Sequence, residues 1–121
     1  MFHLGIIEES LNSQEPLKAL EFCFVRQRIE HIPGDEYPVW HTNEYHVPED
    51  QISAVLNLLK VCIKPTWYIH AFNDKTLYVV LIGQCFNVSL QRDETWHEMI
   101  DYGVKVAKVH PQYLENIPLH I

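Results

Sequence analysis

The sequence predicts an α+β fold: a mainly antiparallel sheet of about five to six strands, including a three-stranded meander at 67–90, with two main helices over about 48–63 and 93–108. Three observations predict it. Residues 67–90 are rich in Tyr, Phe, Val and Ile, and are punctuated by Asn73-Asp74 and Gly83-Gln84, residues that tolerate tight hairpin turns. Two other stretches carry apolar residues at helical spacing. Strand patterns cluster ahead of each helix instead of alternating with helices one by one, which favours helices packed on one face of the sheet.

The elements follow in order. Residues 2–8 are mostly apolar and form a short strand. Asn12 to Pro16 is a loop, and Leu17 to Leu20 a single helical turn. Glu21 to His31 is a strand with Phe22, Phe24, Arg26 and Arg28 on one side and Cys23, Val25, Gln27 and Ile29 on the other. Pro33-Gly34-Asp35 turns the chain, and Pro38 to Val47 runs extended. Pro48 suits a first helical position, with Glu49 and Asp50 at the positive end of the dipole. Ile52, Val55, Leu56, Leu59 and Ile63 then make one apolar stripe, which Pro65 ends.

The strands of the meander are Trp67–Phe72, Thr76–Ile82 and Cys85–Leu90. With two-residue turns, residue 70 faces 77, and 79 faces 68 and 88. One face is then Tyr68, His70, Phe72, Leu77, Val79, Leu81, Phe86, Val88 and Leu90. It is nearly all hydrocarbon and should meet the helices. The other, with Trp67, Ile69, Ala71, Tyr78, Val80 and Cys85, is either covered by N-terminal segments or left as an interface. A second helix from about Asp93 to Lys108 aligns Trp96, Ile100, Gly103 and Ala107, and Pro111 to Asn116 forms one more short helix.

The length of 121 residues suits one domain over 1–121, and 47% hydrophobic residues supply enough apolar surface to order it. The net charge is −7, and both halves are acidic, −5 over 1–65 and −2 over 66–121. Neither half can neutralise a run of phosphates, so nucleic acid is not an expected partner. An anionic membrane surface is excluded on the same ground. The longest fully apolar run, Leu77 to Gly83, is too short to span a bilayer. Cys23, Cys62 and Cys85 are an odd number with no CxxC, which fits a reducing compartment. The N-terminus lacks the basic region of a signal peptide. The expected location is the cytoplasm.

The chemistry-bearing residues concentrate in Trp40-His41-Thr42-Asn43-Glu44-Tyr45-His46 and at His70. On a regular strand Thr42, Glu44 and His46 point one way, and His41, Asn43 and Tyr45 the other. Glu44 and His46 can therefore act together, with His70 as a third member if its strand is a neighbour. Two histidines and a carboxylate would suit Zn²⁺ or Fe²⁺. No HExxH fixes the geometry, so no cofactor is predicted; half-exposed strand residues are the simpler reading. His70 falls on the core face, either as a hydrogen-bonded interior histidine or as a general base in an aromatic pocket. Cys85, at a turn, is the cysteine with access for nucleophilic chemistry; a small buried hydrophobe is the commoner role. Arg26 and Arg28 share a face and either grip an anion or pair with acids such as Glu30.

Two functional expectations follow. The first is a non-enzymatic binding or interaction module, a homo-oligomer or the partner of another protein. It would bind through the aromatic residues Trp40, Trp67, Tyr68 and Tyr78, and self-associate by burying Trp67 and Tyr78. The second is a small enzyme, metal-dependent or using histidine as acid and base, with Glu44, His46 and His70 as its working groups. No catalytic motif selects it.

Overall fold

The computed structural model describes all 121 residues, Met1–Ile121. Six strands form one antiparallel sheet: β1 (Phe2–Ile7), β2 (Phe24–His31), β3 (Val39–Val47), β4 (Ile69–Phe72), β5 (Leu77–Leu81) and β6 (Gln84–Val88). Four α-helices accompany it: α1 (Glu15–Ala19), α2 (Ile52–Cys62), α3 (Trp96–Lys105) and α4 (Pro111–Glu115). The α+β class stands as the sequence predicts. No helix is long and apolar enough to cross a membrane.

The sheet order is β2-β3-β1-β4-β5-β6. The N-terminal strand is thus central, between β3 and β4. Its alternation explains the position: Phe2, Leu4 and Ile6 are buried, and Leu4 and Ile6 are sealed completely.

The meander forms, but both registers slip. His70 pairs with Val79, and Val79 with Phe86, instead of residues 77 and 88. At the first turn the Asn73 side chain accepts hydrogen bonds from the N–H groups of Lys75 and Thr76, at 2.9 and 2.8 Å. This Asx geometry widens a two-residue turn into a four-residue one. At the second, Ile82-Gly83 forms the loop, with Gly83 at φ 82°, one position before the expected pair. Each slip moves the pairing by two residues, and an even slip leaves every side chain on its face.

Both faces of this meander are apolar, and both are covered. Leu77, Val79, Leu81 and Val88 pack with Trp96, Met99, Ala107, Val109 and Leu114 of the α3–α4 layer. Ile69, Ala71 and Val80 pack with Ile52, Leu56, Leu59 and Cys62 of α2. The expectation of helices on one face is corrected: there are three layers, because Ile69, Ala71, Val80 and their neighbours carry too much hydrocarbon to leave in water. Trp67 and Tyr78 pack, partly buried, against the α2 core, and Tyr78 lies 5.5 Å from the Phe2 ring. The face expected to be either covered by N-terminal segments or left as an interface is an internal layer under α2.

A second correction concerns β2. A bulge between Phe24 and Arg26 interrupts its alternation: Phe24 pairs with Tyr45 and Arg26 with Glu44. Phe24 therefore lies on the opposite face from Arg26 and Arg28. The helix boundaries are shorter than expected; residues 49–51 form a 3₁₀ turn ahead of α2.

Candidate functional site

Helices α3 and α4 cover the β4–β6 half of their sheet face. On the other half of that face the register sets out a polar surface. Paired residues share a face, so Arg26, Arg28 and Glu30 of β2, Trp40, Thr42, Glu44 and His46 of β3, and His3 and Gly5 of β1 all point to this side. Residues 118–121 fold back over it. A Cβ on Gly5 would stand 2.8 Å from Ile121 Cδ1, so any larger residue there would make the Ile121 side chain shift. Arg28 Nη1 donates to the Ile121 carbonyl at 3.2 Å and fixes the segment from the side.

A cavity of about 570 Å³ opens where this polar half-face meets α4 and the β2–β3 hairpin. Its aromatic wall is Tyr37, Trp40, Trp67, Tyr68 and Tyr113. Trp67 forms the corner, with its ring 5.2 Å from Trp40 and 5.9 Å from Tyr37 in edge-on contacts. Three of the four aromatic residues singled out in the sequence thus converge here; Tyr78 does not. Trp40 Nε1 is sealed from solvent and has no acceptor. Thr66 and Lys108, the two non-glycine residues with left-handed backbone (φ 73° and 60°), also border the cavity. A β-branched residue at positive φ is strained, and such strain persists only where surrounding structure imposes it. The Thr66 N–H donates to Ala107 O at 2.7 Å and supplies that restraint.

His70 borders the cavity and is 8% exposed. Its Nε2 lies 3.2 Å from the His120 carbonyl oxygen. A carbonyl can only accept, so Nε2 carries the hydrogen. Burial pushes the imidazole pKa down to about 4, against the pull of carbonyl partners at 118 and 120. The ring stacks on Phe72 at 5.8 Å. His70 is a neutral, hydrogen-bonded interior histidine.

Glu44 and His46 do come together, but their third neighbour is His3. Glu44 and His70 both pair with Gly5, on its two sides. They are two strand spacings apart, roughly 10 Å, with Ile121 seated between. His3 pairs directly with His46. Glu44 Oε2 is 3.1 Å from His46 Nε2 and 3.8 Å from His3 Nδ1. Arg26 Nη2 stands 2.7 Å from Oε1, an ion pair without hydrogen-bond alignment. Burial works to raise the Glu44 pKa, but His46 and Arg26 together hold it below the usual carboxylate range.

On the opposite face His41 Nδ1 meets Glu9 Oε2 at 2.7 Å, as the alternation of β3 requires. Cys85 is half-buried, and burial pushes its thiol up to about 11, which removes it as a nucleophile near neutrality. Sequence reasoning missed His3 and Tyr37. Their only signal is composition, because the β1–β3 pairing is not written locally. Compared with protein-family models, with curated proteins and with solved structures, the chain finds no match.

Proposed function

We propose that the chain is a binding module that takes a flat, ring-bearing ligand against Tyr37, Trp40, Trp67 and Tyr68. The observation that carries this reading is the convergence of those side chains on one cavity of about 570 Å³, within the size range of small-molecule sites. The backbone strain at Thr66 and Lys108 supports it, since the fold holds two costly residues at this rim. The unpaired Trp40 N–H supports it too: a small shift of the indole would offer it a ligand acceptor. His70 favours binding over acid–base chemistry, because burial lowers its pKa to about 4 and leaves it a weak base near neutrality.

The test uses the three indole N–H signals of ¹⁵N-labelled protein during titration with indole, p-cresol and adenosine. Trp96 is the internal control, since its Nε1 donates to Ser89 O in the other core. At least one probe is expected to shift the Trp40 and Trp67 signals saturably and leave Trp96 in place. Trp67→Ala is expected to weaken that probe at least tenfold, or about 1.4 kcal/mol. Saturable binding that ignores Trp40 and Trp67, or no binding in the millimolar range, overturns the reading.

A second reading concerns self-association, which one observation favours at a different surface from the expected one. Strand β2 is an edge strand, and Phe22, Phe24, Val25 and Ile29 on or beside it are exposed. An unpaired edge with apolar side chains is a template for another strand. Antiparallel pairing of two copies about Ile29 sets Arg28 of each opposite Glu30 of the other, on one face. The parent protein is then expected to sediment as a dimer, and Ile29→Lys as a monomer. A monomeric parent at its highest soluble concentration removes this reading.

A further inference from the structure

We propose that His3, Glu44 and His46 form a binding site for one divalent transition-metal ion, with Zn²⁺ the best match to the donor set. The three ligand atoms lie within 4.8 Å of one another, on adjacent strands of one sheet face. Ligand atoms around a tetrahedral Zn²⁺ at about 2.0–2.2 Å stand roughly 3.3–3.6 Å apart. The Glu44–His46 and Glu44–His3 separations, 3.1 and 3.8 Å, bracket that value.

The strands supply the geometry. Glu44 and His46 are two residues apart on β3 and so project together, and His3 is the direct cross-strand partner of His46. Neighbouring rings restrain the imidazoles: His3 stacks on Phe72 at 5.1 Å, and its ring meets His46 edge-on at 4.8 Å. Arg26 occupies Glu44 Oε1 and leaves Oε2 to the ion. This is the supporting pair that orients a ligating carboxylate, although its positive charge offsets that of Glu44. Glu44 is largely buried while both imidazoles reach solvent, so an ion can enter from outside. Three protein ligands leave at least one coordination position for water or a bound molecule.

The test is calorimetric titration of untagged protein with Zn²⁺, repeated with Co²⁺ and read by its ligand-field absorption. One Zn²⁺ per chain is expected. His3→Ala and His46→Ala should each weaken it at least tenfold, and the double variant should lose the Co²⁺ bands. Zn²⁺ should also raise the melting temperature of the parent and not of the double variant, because the ion links β1 to β3. His31→Ala and His97→Ala, which alter exposed histidines elsewhere, should bind as the parent does. Absence of Zn²⁺ binding by the parent overturns the proposal. So does binding unchanged within twofold in the His3 and His46 variants, or weakened equally by the His31 and His97 variants.

Discussion

Leu59→Ala is expected to lower the unfolding free energy by about 2–5 kcal/mol, the range for emptying a sealed core site. Leu59 has no exposed surface and lies on the inner side of α2 with Ile52, Leu56 and Cys62. It belongs to the core that also holds Ile69, Ala71 and Val80 of the sheet. Truncation removes the transfer energy of the lost carbons and leaves a void. The void cannot collapse easily, because Gly83 N–H donates to Lys60 O at 2.9 Å and ties the end of α2 to the β5–β6 turn. Val61 is the control on the same helix, since it is 65% exposed. Val61→Ala should stay within about 0.5 kcal/mol of the parent. Urea unfolding of the three proteins decides the matter. Equal losses for both substitutions would mean that α2 does not seat on this face and that the Trp67 and Tyr78 side is open after all.

The seating of α2 marks where the sequence stops informing. The apolar stripe of α2 is written locally, and so is the alternation that sorts Ile69, Ala71 and Val80 from His70, Phe72 and Val79. Which sheet face the stripe chooses is a long-range matter, because α2 bridges β3 and β4 while β1 inserts between them. Nothing near His3 in the chain announces that it will stand beside His46. The fold therefore sets His3, and not His70, beside Glu44 and His46. The meander registers differ for local reasons that composition does not reveal: the Asn73 side chain bonds to the backbone and widens the first turn, and Ile82-Gly83 forms the second turn one position early. Parity survived because the slips were even. On β2 it did not survive, because the bulge adds one residue and reverses Phe24 against Arg26. The aromatic cavity was half visible, since Trp40, Trp67 and Tyr68 stood out by residue type, while the hairpin that brings Tyr37 beside Trp67 did not.

His70→Gln is expected to remove most of an acid-sensitive part of the protein's stability between pH 6.5 and 4. The folded protein holds His70 neutral, with its pKa lowered by burial from 6.5 to about 4. The unfolded chain therefore binds the proton first as pH falls, and the folded state loses stability. The sign is the reverse of a histidine in an ion pair: the contribution is complete above pH 6.5, declines through the window, and is gone below about 4. The whole drop corresponds to roughly 3 kcal/mol, and by pH 4.5 roughly 2–3 kcal/mol of it should be lost. Other groups titrate nearby. Glu9 and Glu44 have lowered pKa values, and their stabilisation is lost on acidification toward and below the usual carboxylate range. His41 has a raised pKa through its bond to Glu9, so its contribution is present at low pH and lost as pH rises through that value. These groups are shared by parent and variant and cancel in the comparison. Glutamine keeps an N–H donor for the His120 carbonyl and does not titrate. Urea unfolding at pH 7 and 4.5 should thus show the parent losing roughly 2–3 kcal/mol more than His70→Gln over that interval. Equal losses would mean that His70 accepts its proton in the folded state as readily as in water, and that the imidazole bordering the cavity is open to solvent and free for acid–base work.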